Sequence, residues 1–196
     1  MGVSISEYKV YMVTEFLEGG SLFNYLHKKK KRIPTNELLP IIEDIALGMR
    51  YLHQCKVYHC DLKSSNILID DNWNLHLCDF GLSRIYSKMK KRTNKGRIGT
   101  PNWMAPEILK GEKYDEHSDV YSFGVVVWEI ITGKIPHEGM SMAQIIGYVG
   151  YGKKSVEIPT SIEGNPIILE IVKQCLQYDR QKRPSFAEIL RMLDIK

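Results

Sequence analysis

The chain contains no C-x-x-C pair: its four cysteines are Cys55, Cys60, Cys78 and Cys175. That spacing excludes a zinc site or a disulfide framework, and reduced thiols in a cytoplasmic protein are the expectation. No signal peptide is visible, and the longest apolar run, Val125 to Trp128 with its neighbours, is far too short to span a bilayer. A large excess of charge of one sign is also lacking. Lys and Arg total 27 against 23 Asp and Glu, and a net +4 gives no argument for nucleic acid. There are no internal repeats and no clear linker, so residues 1–196 are read as one domain. The opening Met1-Gly2-Val3-Ser4-Ile5-Ser6 fits an N-myristoylation pattern, but it is read first as a strand with Val3 and Ile5 on one face.

What is present is mostly helical after residue 35. Val10 to Phe16, rich in β-branched and aromatic residues, reads as a strand, and Glu18-Gly19-Gly20-Ser21 as a turn before a short helix over Leu22 to His27. The basic run Lys28 to Arg32 reads as a solvated loop. Thr35 is expected to cap a helix in which Leu38, Ile41, Ile42, Ile45, Met49 and Leu52 recur at helical spacing to about Gln54. Ile67-Leu68-Ile69 and Leu75-His76-Leu77 flank Asp70-Asp71-Asn72 as a hairpin. Residues 87–97 carry six basic side chains and almost no apolar ones, and read as a mobile loop. Val120 to Ile131 is apolar nearly all round, which predicts a buried helix stopped by Gly133. Ser141 with Gln144 and Ser185 with Glu188 are expected capping boxes, and Asn165-Pro166 an expected helix start.

The chemistry concentrates in His59-Cys60-Asp61-Leu62-Lys63-Ser64-Ser65-Asn66, followed by Asp79-Phe80-Gly81. An acid, a lysine and an amide at fixed offsets, with a second acid ahead of Phe-Gly, resemble the catalytic loop and metal-binding motif of eukaryotic protein kinases. Ala105-Pro106-Glu107, Ser118-Asp119-Val120-Tyr121-Ser122-Phe123-Gly124 and Arg183-Pro184-Ser185-Phe186 are similar to later motifs of that family, so the resemblance covers nearly the whole chain. It implies a mainly α fold: a kinase-like C-terminal lobe over 17–196, a helical bundle with short β-hairpins, plus a remnant of the N-terminal lobe sheet over 1–16. It implies ATP and Mg2+ as cofactors and Ser/Thr residues of proteins as substrates. Asp61 would orient the acceptor hydroxyl and Lys63 would reach the transferred phosphate. Asn66 and Asp79 would hold magnesium. Thr14, Glu15 and Leu17 would line the adenine site as gatekeeper and hinge, with Leu68 as its floor. His59, Phe80, Gly81, Thr93 and Thr100 would belong to the structural and activation apparatus. Asp119 would hold the catalytic-loop backbone, and Glu107 would pair with Arg183.

Lys63 and Gly99-Thr100-Pro101 resemble the Ser/Thr-directed pattern. Trp103-Met104 and Val127-Trp128-Glu129 resemble the tyrosine-kinase-like branch of mixed-lineage and Raf-type kinases. Dual specificity stays open, as does the oligomeric state. Two departures qualify the resemblance. Cys60 stands where the family carries an arginine that pairs with activation-loop phosphate, so phosphorylation at Thr93, Ser87 or Tyr86 is expected to matter less. No G-x-G-x-x-G and no V-A-I-K-like stretch occurs. The sequence therefore looks like a kinase domain cut inside its N-terminal lobe and is expected to be poorly active by itself. A scaffold of pseudokinase type is the alternative.

Overall fold

The computed structural model describes residues 2–6, 9–80, 83–85, 100–162 and 165–193. The chain opens with an antiparallel hairpin, β1 (Gly2–Ser6) and β2 (Lys9–Val13), in the register Gly2↔Val13 to Ser6↔Lys9. The expected strand over Val10 to Phe16 thus ends early, and Thr14 to Phe16 run on as an exposed irregular segment. A turn leads to a π-helical stretch, Asn24–Lys28.

Helix α1 (Leu38–Gln54) carries the anticipated stripe: Leu38, Ile41, Ile42, Ile45 and Met49 are buried. Thr35 does not cap it. Residues Thr35–Glu37 form a 3-10 turn, which moves the helix start to Leu38, and no side-chain cap bond is made at either junction. Strands β3 (Val57–Tyr58), β4 (Ile67–Ile69) and β5 (Leu75–Leu77) follow; β3 pairs with β6 (Arg84–Ile85), and β4 with β5. The β4–β5 turn is tied by Asp70, whose carboxylate accepts from the backbone N–H groups of Asn72 and Asn74. The expected mobile loop at 87–97 lies outside the described residues.

A short helix α2 (Pro106–Leu109) precedes α3 (Glu116–Thr132), the axis of the molecule. The carboxylate of Asp115, a cap that the sequence reading did not identify, accepts from His117 N, and Ser118 completes the capping box. Residues 118–130 of α3 are all buried, and Gly133 ends the helix in the left-handed region at φ 59°. Helix α4 (Met142–Ile145) starts with the expected Ser141–Gln144 box. Asn165 precedes α5 (Pro166–Cys175) without a side-chain cap, so Pro166 alone marks that start. Ser185 and Glu188 exchange the expected bonds ahead of α6 (Phe186–Leu193). One core joins α1, α3, α5 and α6. At Gly124 an added Cβ would stand 2.6 Å from the Cys175 Cβ, so only glycine lets α3 and α5 approach this closely.

Candidate active site

Asp119, in the first turn of α3, fixes the loop between β3 and β4. Its buried carboxylate accepts from the backbone N–H of His59 (3.0 Å) and Cys60 (3.1 Å), from His53 Nε2 (2.9 Å) and from the Tyr114 hydroxyl. These bonds hold Cys60 at φ 67°, a conformation that costs a non-glycine residue about 1–3 kcal/mol and persists only where its surroundings over-determine it. Burial, reinforced by the charge of Asp119, pushes the Tyr114 hydroxyl well above the usual phenol range, so Tyr114 remains a donor.

Three expected residues then converge. Lys63 Nζ lies 2.8 Å from Asp61 Oδ2 and donates to Thr100 Oγ1 at 2.8 Å, while Thr100 N approaches Asp61 Oδ1 at 3.5 Å. Asn66 Nδ2 donates to the Asp61 carbonyl (2.9 Å) and to Asp61 Oδ2 (3.3 Å). The Cys78 N–H donates to the Asn66 carbonyl at 3.0 Å, which extends the β4–β5 pairing and sets Asp79 one residue beyond Asn66's partner. Asp79 itself sits at φ 61°. The buried His59 ring meets Phe80 at a centroid distance of 5.4 Å, and its Nδ1 accepts weakly from Asp61 N. Gly81 and Thr93 lie outside the described residues.

The hinge candidates are arranged by the turn rather than by a strand. Thr14 and Glu15 are exposed and Leu17 is half-buried. The Ile69 N–H donates to the Gly20 carbonyl at 2.9 Å, and Ser21 bridges Leu68. An added Cβ at Gly19 would stand 2.3 Å from the Ile69 carbonyl oxygen, so glycine is what lets this turn lie flush on β4. The result places Leu68, half-buried in β4, beside the chain that leads out of Leu17.

Glu107 and Arg183 form a buried fork: Nη1 to Oε1 at 2.7 Å and Nη2 to Oε2 at 2.8 Å. Arg183 also donates to the carbonyls of His117, Gln177 and Tyr178, and Ser118 Oγ donates to Glu107. A second buried carboxylate was read in the sequence only as a branch marker. Glu129 accepts from His27 Nε2 (2.7 Å), Ser64 Oγ (2.7 Å) and Trp103 Nε1 (2.9 Å). It thereby ties the loop at Ser64, the residues after Thr100 and the early π-helical stretch to one point on α3. The one signal available was an acid inside an apolar-reading helix, since such a charge is buried only with partners.

Comparison with known proteins agrees with this geometry. The family described as protein tyrosine and serine/threonine kinase matches residues 1–193. The chain is 41% identical over 198 residues to the probable serine/threonine-protein kinase SIS8 of Arabidopsis thaliana, covering 98% of this chain and 19% of the relative. It is 40% identical over 197 residues to the serine/threonine-protein kinase CTR1 of the same plant, covering 98% and 24%. It is 36% identical over 184 residues to the serine/threonine/tyrosine-protein kinase HT1, also of Arabidopsis thaliana, covering 93% and 46%. The chain therefore spans less than half the length of each of these relatives. With the match running through nearly every residue, this chain belongs to the protein tyrosine and serine/threonine kinase family.

Proposed function

We propose that the chain carries the phosphotransfer centre of a Ser/Thr protein kinase of the tyrosine-kinase-like branch, acting on protein substrates in the cytoplasm. Residues 17–196 are its C-terminal lobe, and 1–16 belong to the sheet lobe. The observation that carries this reading is the Asp61–Lys63–Thr100 triangle, with Asn66 bonded to Asp61. None of the four cysteines forms a disulfide, which suits a reducing compartment. Among the described residues no helix is long and apolar enough to cross a membrane.

The residues fit ATP with magnesium. Among the described residues no group of three His, Cys, Asp or Glu side chains could hold a metal by itself. One carboxylate, Asp79, and one amide, Asn66, are instead the sparse hard-oxygen set that suits Mg2+ shared with phosphate and water. ATP, bound with Mg2+, supplies the transferable phosphoryl group. The backbone of Glu15 and Leu17 would hold adenine, with Thr14 as gatekeeper and Leu68 beneath the base. Asp61 orients the acceptor hydroxyl and takes its proton at Oδ. Lys63, held between Asp61 and Thr100, brings positive charge to the transferred group. A scaffold has no physical need for this whole arrangement.

The test is transfer of labelled phosphate to a Ser/Thr peptide library, by the chain and by a chimera that places the preceding residues of a relative such as SIS8 ahead of it. Transfer by the chimera is expected, with weak transfer by the chain itself. Asp61→Asn should lower transfer by about 10²–10⁴-fold with little change in melting temperature. Retained transfer in that variant overturns the role of Asp61.

A further inference from the structure

A cavity of about 340 Å³ opens on the side of the molecule where α2, α5 and residues 153–158 meet. Its apolar lining comes from Pro106, Tyr121, Ile158 and Leu176. Lys153, Lys154 and Lys173 stand around it, all three exposed, and no acidic residue lines it. The acids nearest in sequence do not balance these charges: Glu157 lines no part of the cavity, and Glu170 Oε1 accepts from Gln174. None of the three lysines has a carboxylate at ion-pair distance among the described residues, whereas Lys110 close by is paired with Glu112 at 2.7 Å.

The cavity is also structurally fixed. Tyr178, part of its wall, donates its hydroxyl to the Gly150 carbonyl at 2.8 Å. Its ring has Lys110 Nζ at 5.2 Å and Lys153 Nζ at 5.5 Å from its centroid, both within cation–π range. Lys153 is held at φ 54°, a left-handed conformation that a lysine adopts only under constraint. Tyr121 is buried, with its hydroxyl pushed up to about 12, mainly by burial, and bonded to Ser155 at 3.2 Å. The floor therefore stays neutral.

We propose that this cavity is a docking site for an acidic segment of a partner protein, which seats an apolar side chain against Tyr121, Ile158 and Leu176 and sets carboxylates or phosphates against Lys153, Lys154 and Lys173. A concave apolar floor with a few convergent polar groups is the usual form of a binding site, and unbalanced rim charge of one sign selects the opposite sign. None of the residues invoked is assigned a role in phosphotransfer. The site can therefore be read by binding alone, and its failure leaves the proposed transfer chemistry standing.

The probe is a fluorescein-labelled peptide of glutamates flanking a central leucine, titrated with the full chain by anisotropy. Saturable binding is expected, weakened at least about tenfold by Lys154→Glu with Lys173→Glu and, less, by replacing the peptide leucine with serine. The same reversal at Lys29 and Lys30, in the basic run elsewhere on the surface, should leave binding within about twofold. Where the double variant loses its helical circular dichroism, Lys173→Glu alone is read. No saturable binding, or an equal loss from the Lys29/Lys30 variant, overturns the proposal. So does tighter binding to anionic lipid vesicles than to the peptide, abolished by the same lysine reversal, because the site would then read a membrane.

Discussion

Helix α3 and the β1–β2 hairpin use the same apolar residue types and treat them in opposite ways. Val125, Val126, Val127 and Ile130 of α3 are at most 2% exposed, with α1 and α5 packed on the helix. In the hairpin, Val3 is 68% and Ile5 76% exposed, and on the opposite face of the pair Tyr11 and Val13 are at least half exposed. Residue type therefore sets only a capacity for burial, and a second layer realises it. The core begins at Leu22, so the hairpin contributes strand pairing but no core packing among the described residues. A two-stranded sheet of this kind is marginal alone. The polar groups follow the same division. Asp119 and Glu129 of α3 are buried and accept hydrogen bonds from His59, Cys60 and Ser64, whereas Thr14 and Glu15 beside the hairpin are exposed.

The largest effect that would break this contrast is expected at the buried fork. Arg183→Ala leaves Glu107 buried and stripped of its two guanidinium bonds, at a cost of about 3–5 kcal/mol. For a chain of this size each kcal/mol corresponds to about 2–4 °C in melting temperature, so calorimetry reads the loss directly. The pH dependence carries the matching sign. Burial alone would raise the Glu107 carboxyl; the hydrogen bonds and charge of Arg183 outweigh it and hold the group below its usual value. The pair's contribution is thus fully present above the ordinary glutamate range and is lost as pH falls through the lowered folded value. In Arg183→Ala that dependence should reverse, because burial then raises the Glu107 carboxyl and stability falls as pH rises through it. A melting temperature within a degree or two of the parent would show that the fork is not buried as described.

A smaller effect tests whether α3 organises the site as well as the core. Glu129→Gln keeps the shape but replaces one acceptor oxygen by a donor, facing three groups that themselves donate: His27, Ser64 and Trp103. Either Trp103 Nε1, which only donates, loses its bond, or His27 and Ser64 turn to accept from the amide and every bond loses its charge assistance, at a cost of about 1–3 kcal/mol. Transfer by the chimera should fall along with stability, because Ser64 adjoins Lys63. Unchanged melting and unchanged transfer would remove Glu129 as an anchor. This network also marks the limit of what the sequence could tell. Helical spacing made α1 and α3 legible, since burying one stripe or the whole girth leaves a periodic trace. Capping boxes at Ser141 and Ser185 were legible because both partners lie within one turn. Thr35 and Asn165 misled, because a local cap competes with a 3-10 turn and an uncapped proline start. The partners of Glu129 could not be read: His27 lies 102 residues away, and nothing in the intervening pattern announces the meeting. In the site, Asp61, Lys63 and Asn66 were readable for their fixed offsets, whereas the Asp115 cap and the carbonyls around Arg183 exist only through long-range folding.

The smallest effect belongs to the hairpin. Ile5→Lys replaces a large apolar side chain by a charge, a change that in α3 would be prohibitive. At Ile5 the side chain is 76% exposed and opposes Val10 across the pair. Little transfer free energy is at stake, and a lysine suits a strand open to solvent, so the expected change in stability is within about 0.5 kcal/mol. Self-association should fall, because an exposed apolar strand is a template for pairing between copies and a charge on it opposes that pairing. Light scattering at rising concentration, beside a melt of the same samples, separates the two outcomes. A destabilisation comparable to that of Glu129→Gln would mean that the Ile5 side chain is covered in solution. The contrast between helix and hairpin would then be one of layers formed between molecules, with α3 buried by its own chain and β1 by another.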